Sequence, residues 1–454
     1  MSQYADIPSK RIEPHSRVCA STVVKILHLT LKENQPADNA LSSHLRANHQ
    51  LGARDRRIIS ETLFSLLRWW GWLRHLAPKQ FVEAAPKSAP AFDEGKLGEW
   101  YPCLAASWLL EGRPELPPSA QWWLSESGIP VQSLPVLPPN APIQTRRRCL
   151  RPFFDNGKMP ELTLEMLLPD WCRAEVDCPQ DWLTLIEWMQ ARPPVWLRAQ
   201  INDIDRLVGE FADVGVKLVR HPLMKHALKA NFIGVNLRQM PAFDAGCFEI
   251  QDAASQAVAL ICAPNPGENW WDCCAGAGGK TLHLATLMQG KGKIQATDNR
   301  VFKLDDLKKR ARRCGRSNII CKEWLGIEVP RLRGHFAGVL VDAPCTCSGT
   351  WRRNPGARWT TQHEDIEKLA ALQLQLLSNA SSAVAPGGTL VYATCSMFTR
   401  ENQKVVEAFL AAHEDFDLKP FISPLTGAET QGVCQFWPWD SDCDAMFTAK
   451  FQRR

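Results

Sequence analysis

The spacing of apolar positions changes twice along the chain. Between Ala40 and Leu76, Leu41, Leu45, Leu51, Ile58, Ile59, Leu63, Leu66, Leu67 and Leu73 recur at three- and four-residue steps, the spacing of an amphipathic helix pair. Helical patterning of this kind extends to about residue 130, so residues 1–135 are expected to form an all-α domain. Eight prolines then fall between 114 and 142, and proline blocks helix continuation. Residues 136–160, which also carry Arg146, Arg147, Arg148 and Arg151, are read as a Pro/Arg-rich linker. Over 161–243 the pattern predicts a small α+β unit with a helix at Trp182–Met189, a strand at Val195–Ala199, a helix at Ile204–Val214 and a short strand at Lys217–Val219. From 244 to 454 short apolar runs alternate with helix-forming segments. Strands are expected at Trp270–Cys273, Lys293–Thr297, Asn318–Lys322, Gly338–Val341 and Thr389–Ala393, the signature of an α/β fold with a doubly wound parallel sheet.

Composition adds bounds to this picture. The 454 residues are 45% hydrophobic and 22% charged, with 53 Lys plus Arg against 48 Asp plus Glu, which excludes a disordered or collagen-like chain. No run of about 18 apolar residues occurs, and the first fifteen residues lack the apolar centre of a secretory signal. The expectation is a cytoplasmic protein with no membrane partner, whose sixteen cysteines are thiols. None is spaced as C-x-x-C, so no metal site is expected, and most are read as small buried hydrophobes. The modest net charge of +5 hides an asymmetry: residues 1–80 hold twelve Lys or Arg against six Asp or Glu, with Arg54, Arg56 and Arg57 clustered. Such a face is either merely solvated or meets phosphate.

Candidate chemistry lies in three places. In WWDCCAGAGGKT (270–281) a strand runs into a glycine turn and then a helix, so backbone N–H groups can approach a ligand. The P-loop pattern fails, because its first glycine falls on Cys274. An acidic residue at the end of the following strand, Asp298, lies 22 positions after Gly276 and suits ribose hydroxyls. The second place is AGVLVDAPCTCSGT (337–350), whose strand delivers Asp342 and Cys345 to the carboxyl edge of the sheet. The third is PGGTLVYATCS (386–396), which places Cys395 just past its strand. Two thiols and a carboxylate thus reach one edge beside a nucleoside-type turn. That set suits methylation at carbon 5 of cytosine: a thiolate adds to carbon 6 to make carbon 5 nucleophilic, and an acid near ring nitrogen 3 stabilises the developing charge. Because a stacked base is unreachable, the target must be turned out.

CAGAGGKT, DAPCTCSGTWRRNP, LVYATCS followed by ENQKVV, and FEIQDAASQAVAL resemble the RsmB/Nop/Sun family of RNA cytosine-5 methyltransferases over residues 160–454. GARDRRIISETLFSLLRWWGWL resembles the NusB-type RNA-binding domain of its bacterial ribosomal RNA branch. The resemblance implies a Rossmann-like class I methyltransferase domain, S-adenosyl-L-methionine as cofactor, and RNA as substrate, small-subunit (16S) ribosomal RNA above transfer RNA. A non-catalytic RNA-binding assembly factor is the alternative from another class. By resemblance Cys395 is the nucleophile, Cys345 assists product release, and Asp342 is the acid near the base and also touches the cofactor. Cys274, Ala275, Gly276, Ala277, Gly278, Gly279, Lys280 and Asp298 would hold the cofactor, with Glu323 on the adenine side. Arg352 and Arg353 are expected at RNA phosphates, while Cys273 and Cys347 are read as packing. The chain departs from the family's usual CAAPGGKT by having Gly276 and Ala277 in place of alanine and proline, which loosens the turn.

Overall fold

The computed structural model describes residues 9–454 apart from 89–91, 114, 136, 139–140, 155–156, 231–234 and 328–329. Residues 1–8 and two of the eight prolines between 114 and 142, Pro114 and Pro139, therefore lie outside the described residues. The chain divides into two compact units.

The first unit comprises 1–173, 178–191 and 354–361 and is helical. Its principal helices are Ser9–Leu31, Ala37–Ala47, Ala53–Arg68, Tyr101–Leu110, Pro118–Glu126 and Trp182–Gln190. The three- and four-residue stripe buries Leu41, Ile58, Ile59, Leu63, Leu66 and Leu67, joined by fully buried Trp72, Trp108 and Trp123. Each of these indoles finds an acceptor: Trp72 at Thr163 O, Trp108 at Thr62 Oγ1 and Trp123 at Ser16 O. A buried indole N–H without a partner is costly, so these bonds fix helix register as well as fill space.

This unit corrects the expected boundaries. The segment read as a linker folds into it as short helices, Ile143–Arg147 and Arg148–Phe153. Arg146 donates to the carbonyls of Ala141 and Leu110, and Arg147 donates to Leu162 O. Proline halted long helices there, but carbonyls left open at helix ends are good arginine acceptors. The helix at Trp182–Gln190 likewise belongs here rather than to the α+β unit. So does 354–361, where buried Arg358 donates to the carbonyls of Arg68, Leu167 and Met189. Within the Arg54 cluster, Arg54 is exposed while Arg56 caps Leu45 and Leu51 carbonyls and Arg57 pairs with Glu61.

The second unit contains two main sheets. Strands β1 (Val195–Ala199), β2 (Val219–Arg220), β3 (Ala227–Ala230) and β4 (Phe248–Ile250) form an antiparallel sheet in the order β2-β3-β1-β4. The expected boundary at 244 is thus corrected, since β4 closes the small sheet. The large sheet is built from β5 (Asn269–Asp272), β6 (Lys293–Asp298), β7 (Ile319–Glu323), β8 (Phe336–Asp342) and β9 (Val384–Thr394), parallel and ordered β9-β8-β5-β6-β7. The order reverses between β5 and β8, where open α/β sheets bind ligands. Beyond β9 the chain adds β10 (Phe416–Leu418), a small hairpin of β11 (Phe421–Ile422) and β12 (Glu429–Thr430), β13 (Val433–Phe436) and β14 (Met446–Arg453). Of these, β14 pairs antiparallel with β9, and β10 and β13 pair with β14. Adjacent Trp270 and Trp271 enter opposite faces of the sheet, each into its own core, because strand side chains alternate. Among the described residues no helix is long and apolar enough to cross a membrane.

Candidate active site

Five parallel strands end on one edge, which brings together groups far apart in sequence. The loop after β5 carries the glycine turn. Gly278 is left-handed (φ +85°), immediately before the helix Gly279–Leu287, and a Cβ there would fall 2.0 Å from Leu307 Cδ1. The left-handed backbone favours glycine here, and a Cβ would also have to displace the Leu307 side chain. The Gly276 N–H donates to Asp298 Oδ2 at 2.9 Å, so the turn and the end of β6 are joined, as the spacing of 22 residues anticipates. Two arginines hold the turn from outside: Arg310 donates to Ala277 O at 2.6 Å and Arg198 to Gly279 O at 2.9 Å. Arg310 is itself paired with buried Glu249, and Arg198 with Gln251. These arginines, invisible in the motif, restrain a turn that lacks the proline of CAAPGGKT.

A cavity of 720 Å³ opens beside the turn. Asp298, Lys280 and Asp342 line its polar side, and Trp324, Leu325 and Leu376 an apolar wall. Glu323, expected on the adenine side, ends β7 as an exposed residue outside the cavity lining. The next residues of the chain, Trp324 and Leu325, which follow the end of the strand, line the cavity instead. Asp298 is covered by Arg300, whose backbone N–H and guanidinium donate to its carboxylate at 2.9 to 3.1 Å. Burial raises the Asp298 carboxyl, but Arg300 outweighs it and the group lies below the ordinary carboxylate range.

At the deep end Lys280 Nζ donates to Asp342 Oδ2 at 2.8 Å. Burial pushes the Asp342 carboxyl up, against the opposing pull of Lys280. Next to this pair Cys345 Sγ and Cys395 Sγ are 3.4 Å apart. Hydrogen bonding from Cys345 favours the Cys395 thiolate, but the interaction with Cys347 and burial prevail and push the Cys395 thiol up to about 12. The reading of Cys347 as packing is corrected: the sulfurs of Cys345, Cys347 and Cys395 all lie within 4.8 Å of one another. Cys273, in contrast, is fully buried in the core on one face of the sheet.

A group absent from the sequence reading holds the two thiol loops together. Glu401, fully buried, accepts from the Thr346 N–H at 2.9 Å, Thr346 Oγ1 at 2.5 Å, Ser396 Oγ at 2.5 Å and Gln373 Nε2 at 2.9 Å. Thr346 follows Cys345 and Ser396 follows Cys395, so one carboxylate ties both sulfur-bearing loops. Asn402 completes the latch, accepting from Thr394 Oγ1 and donating to Ser396 O. The signal was present in ENQKVV, where an acidic residue precedes an apolar helix, but only the fold shows what it accepts from. Gly349 joins the same assembly: its N–H donates to Cys395 O, and a Cβ would sit 2.0 Å from Ala445 O.

The two arginines expected at phosphates differ. Arg352 is corrected: it is fully buried and donates to Asp442 at 2.7 Å and to Cys443 O, because the turn after Cys347 folds it under the C-terminal segment. Arg353 is half-exposed at the cavity rim and pairs with Asp444 at 2.5 Å.

Residues 259–452 match the family model described as 16S rRNA methyltransferase RsmB/F. The ribosomal RNA small subunit methyltransferase B of Pasteurella multocida (strain Pm70) is 31% identical over 299 residues, covering 63% of this chain and 65% of that protein. The protein of the same name from Salmonella typhi is 31% identical over 299 residues, covering 63% of this chain and 67% of that protein. The matched stretch thus spans about two thirds of the length of these relatives. The crystal structure of PH0851 superposes with a TM-score of 0.75 and 25% identity, covering 99% of this chain and 100% of that one.

Proposed function

The chain belongs to the RsmB/Nop/Sun family, and we propose that it methylates carbon 5 of a cytosine in small-subunit (16S) ribosomal RNA. The observation that carries this reading is the pair of thiols 3.4 Å apart, delivered by two strands to the edge that also holds the glycine turn and Asp342.

S-adenosyl-L-methionine fits the cavity. The backbone of Cys274–Gly279 and the carboxylate of Asp298 suit a ribose diol, and the Trp324–Leu325 wall suits a purine. Exposed Arg300 gives way to the diol, whose hydroxyls take over its donor role at Asp298. When bound, the cofactor supplies an electrophilic methyl group.

Cys395 Sγ, as thiolate, adds to carbon 6 of a cytosine turned out of its stack. Asp342, whose carboxyl burial pushes up, hydrogen-bonds ring nitrogen 3 and stabilises the charge that develops. Lys280 fixes that carboxyl and lowers the cost of a thiolate beside it. After methylation, removal of the carbon 5 proton returns an electron pair to the ring and expels Cys395. Cys345, at sulfur contact distance, is placed to assist that expulsion. The helical unit and Arg353 would meet RNA phosphates, and chemistry that needs Cys395 as a thiolate suits the reducing cytoplasm.

The test is methyl transfer from labelled S-adenosyl-L-methionine to 16S ribosomal RNA and, separately, to transfer RNA, with 5-methylcytosine identified after digestion. Product in ribosomal RNA, abolished by Cys395→Ala, is expected. Product confined to transfer RNA would overturn the substrate, and full activity of Cys395→Ala would overturn the nucleophile.

A further inference from the structure

Addition to carbon 6 uses one sulfur and its reversal a second, yet three converge. Cys345 and Cys347 come from one turn and Cys395 from the loop after β9, with all three Sγ atoms within 4.8 Å of one another. Cys347 occupies the left-handed region, φ +56°, which costs a residue with a Cβ about 1–2 kcal/mol. A glycine would be at ease there, so the thiol is held at a conformational cost on a turn that aims it at the other two sulfurs. Its Sγ also lies 3.4 Å from Cys345 O.

We propose that Cys345, Cys347 and Cys395 form a three-sulfur site for one thiophilic d10 cation of the Zn2+ class. Tetrahedral bonds of about 2.3 Å from zinc to sulfur demand sulfur–sulfur edges of about 3.8 Å. The 3.4 Å edge between Cys345 and Cys395 and the 4.8 Å limit on the others bracket that value. The fourth position faces the open cavity and takes a water. Coordination replaces S–H bonds by S–metal bonds and releases those protons to the buffer; no electron moves.

The only other convergent ligand set among the described residues is His15, Cys19 and Asp55. It is a closed hydrogen-bond chain, with His15 bonded to Asp55 at 2.7 Å and to Ser119 at 3.0 Å. The sulfur trio is held only by contacts of 3.4 Å among its own thiols and the Cys345 carbonyl, and thiols are weak donors and weak acceptors.

A bound cation occupies the proposed nucleophile, so the metal excludes the pyrimidine until a chelator removes it. That consequence rests on the proposed function; the metal site does not.

The test titrates reduced, metal-free, full-length protein with Cd2+, read by sulfur-to-metal charge-transfer absorbance, and with Zn2+ against a chromophoric chelator. One tightly held ion per chain is expected. Cys347→Gly relieves the backbone strain and keeps the fold, yet should weaken Zn2+ by more than about 100-fold, beyond what loss of an outer-sphere partner costs, and reduce the Cd2+ absorbance by about one third. Cys19→Ser should change neither reading. Affinity of Cys347→Gly within about tenfold of the parent's, or absence of a stoichiometric ion in the parent, would overturn the site. Stoichiometric binding by a protein that still methylates no RNA after the chelator has stripped the metal would leave the site standing and remove the proposed function instead.

Discussion

Glu401→Ala should disconnect the two thiol loops. The wild-type carboxylate accepts four hydrogen bonds, at 2.5, 2.5, 2.9 and 2.9 Å, from donors on three segments. A hydrogen bond to a charged group contributes about 1.5–3 kcal/mol, but the four cannot be summed, since they share one desolvated carboxylate whose pKa burial raises. Truncating the shared acceptor leaves buried neutral donors unpaired, at about 1–3 kcal/mol each. Water entering the cavity satisfies part of what is left, which places the loss near 4 kcal/mol, or roughly 10 °C in Tm for a unit of this size. Glu401→Gln keeps the acceptor for the Thr346 N–H and Gln373. Its amide must then donate to the hydroxyls of Thr346 or Ser396, which can rotate to accept, so it costs about 1–2 kcal/mol. The two variants should also separate in rate. A misplacement of about 1 Å between reacting groups costs about 100-fold, so single-turnover methylation should fall by that order in Glu401→Ala and far less in Glu401→Gln. Thermal melts by circular dichroism and rapid-quench transfer measure both. A stability loss below about 1 kcal/mol in the alanine variant, or equal rate losses in the two, would refute positioning by hydrogen bonding.

Three further outcomes are expected. Cys345→Ala should accumulate a protein–RNA adduct that survives denaturing electrophoresis, since addition persists and expulsion fails, whereas Cys395→Ala should give none. Arg352→Ala should cost about 1–3 kcal/mol in urea unfolding, by leaving the buried Cys443 carbonyl without its donor, with the salt slope of RNA binding unchanged. Arg353→Ala should instead lower that slope by about one. Finally, burial raises the Asp272 carboxyl to about 7 against the one bond from Thr281. A folded-state pKa above the unfolded value means that stability is full in acid and lost as pH rises through about 7. The contribution is roughly 4 kcal/mol between pH 4 and pH 9, and Asp272→Asn should flatten it in urea denaturation.

The central parallel strands were legible because β5, β8 and β9 are apolar runs closed by a turn, and parallel strands buried on both faces have few other ways to read. The C-terminal antiparallel strands were not, since MFTAKFQR and VCQF carry no turn signature that names their partners. The Pro/Arg-rich stretch misled for a definite reason. Proline reports where helices stop, not whether the residues between them pack, and Arg146 and Arg147 found carbonyl acceptors no pattern could reveal. Arg352 and Arg353 are neighbours of equal charge, and only the turn that carries them decides that one is buried and the other half-exposed.

By itself the sequence determined which atoms are available for chemistry: two thiols and a carboxylate at strand ends, and a glycine turn with an acidic residue on the next strand. It could do so because those groups are placed by local rules, strand, turn and helix start, that operate over a few residues. Tertiary structure alone decided how they are held. Glu401 bridges loops on two strands, Arg198 and Arg310 clamp the glycine turn from β1 and from the helix Val301–Arg313, and Cys347 joins Cys345 and Cys395 in one sulfur cluster. Hydrogen bonds and sulfur contacts act over about 3–4 Å in space, whatever the distance along the chain, so partners this far apart in sequence become visible only once the sheet has assembled them.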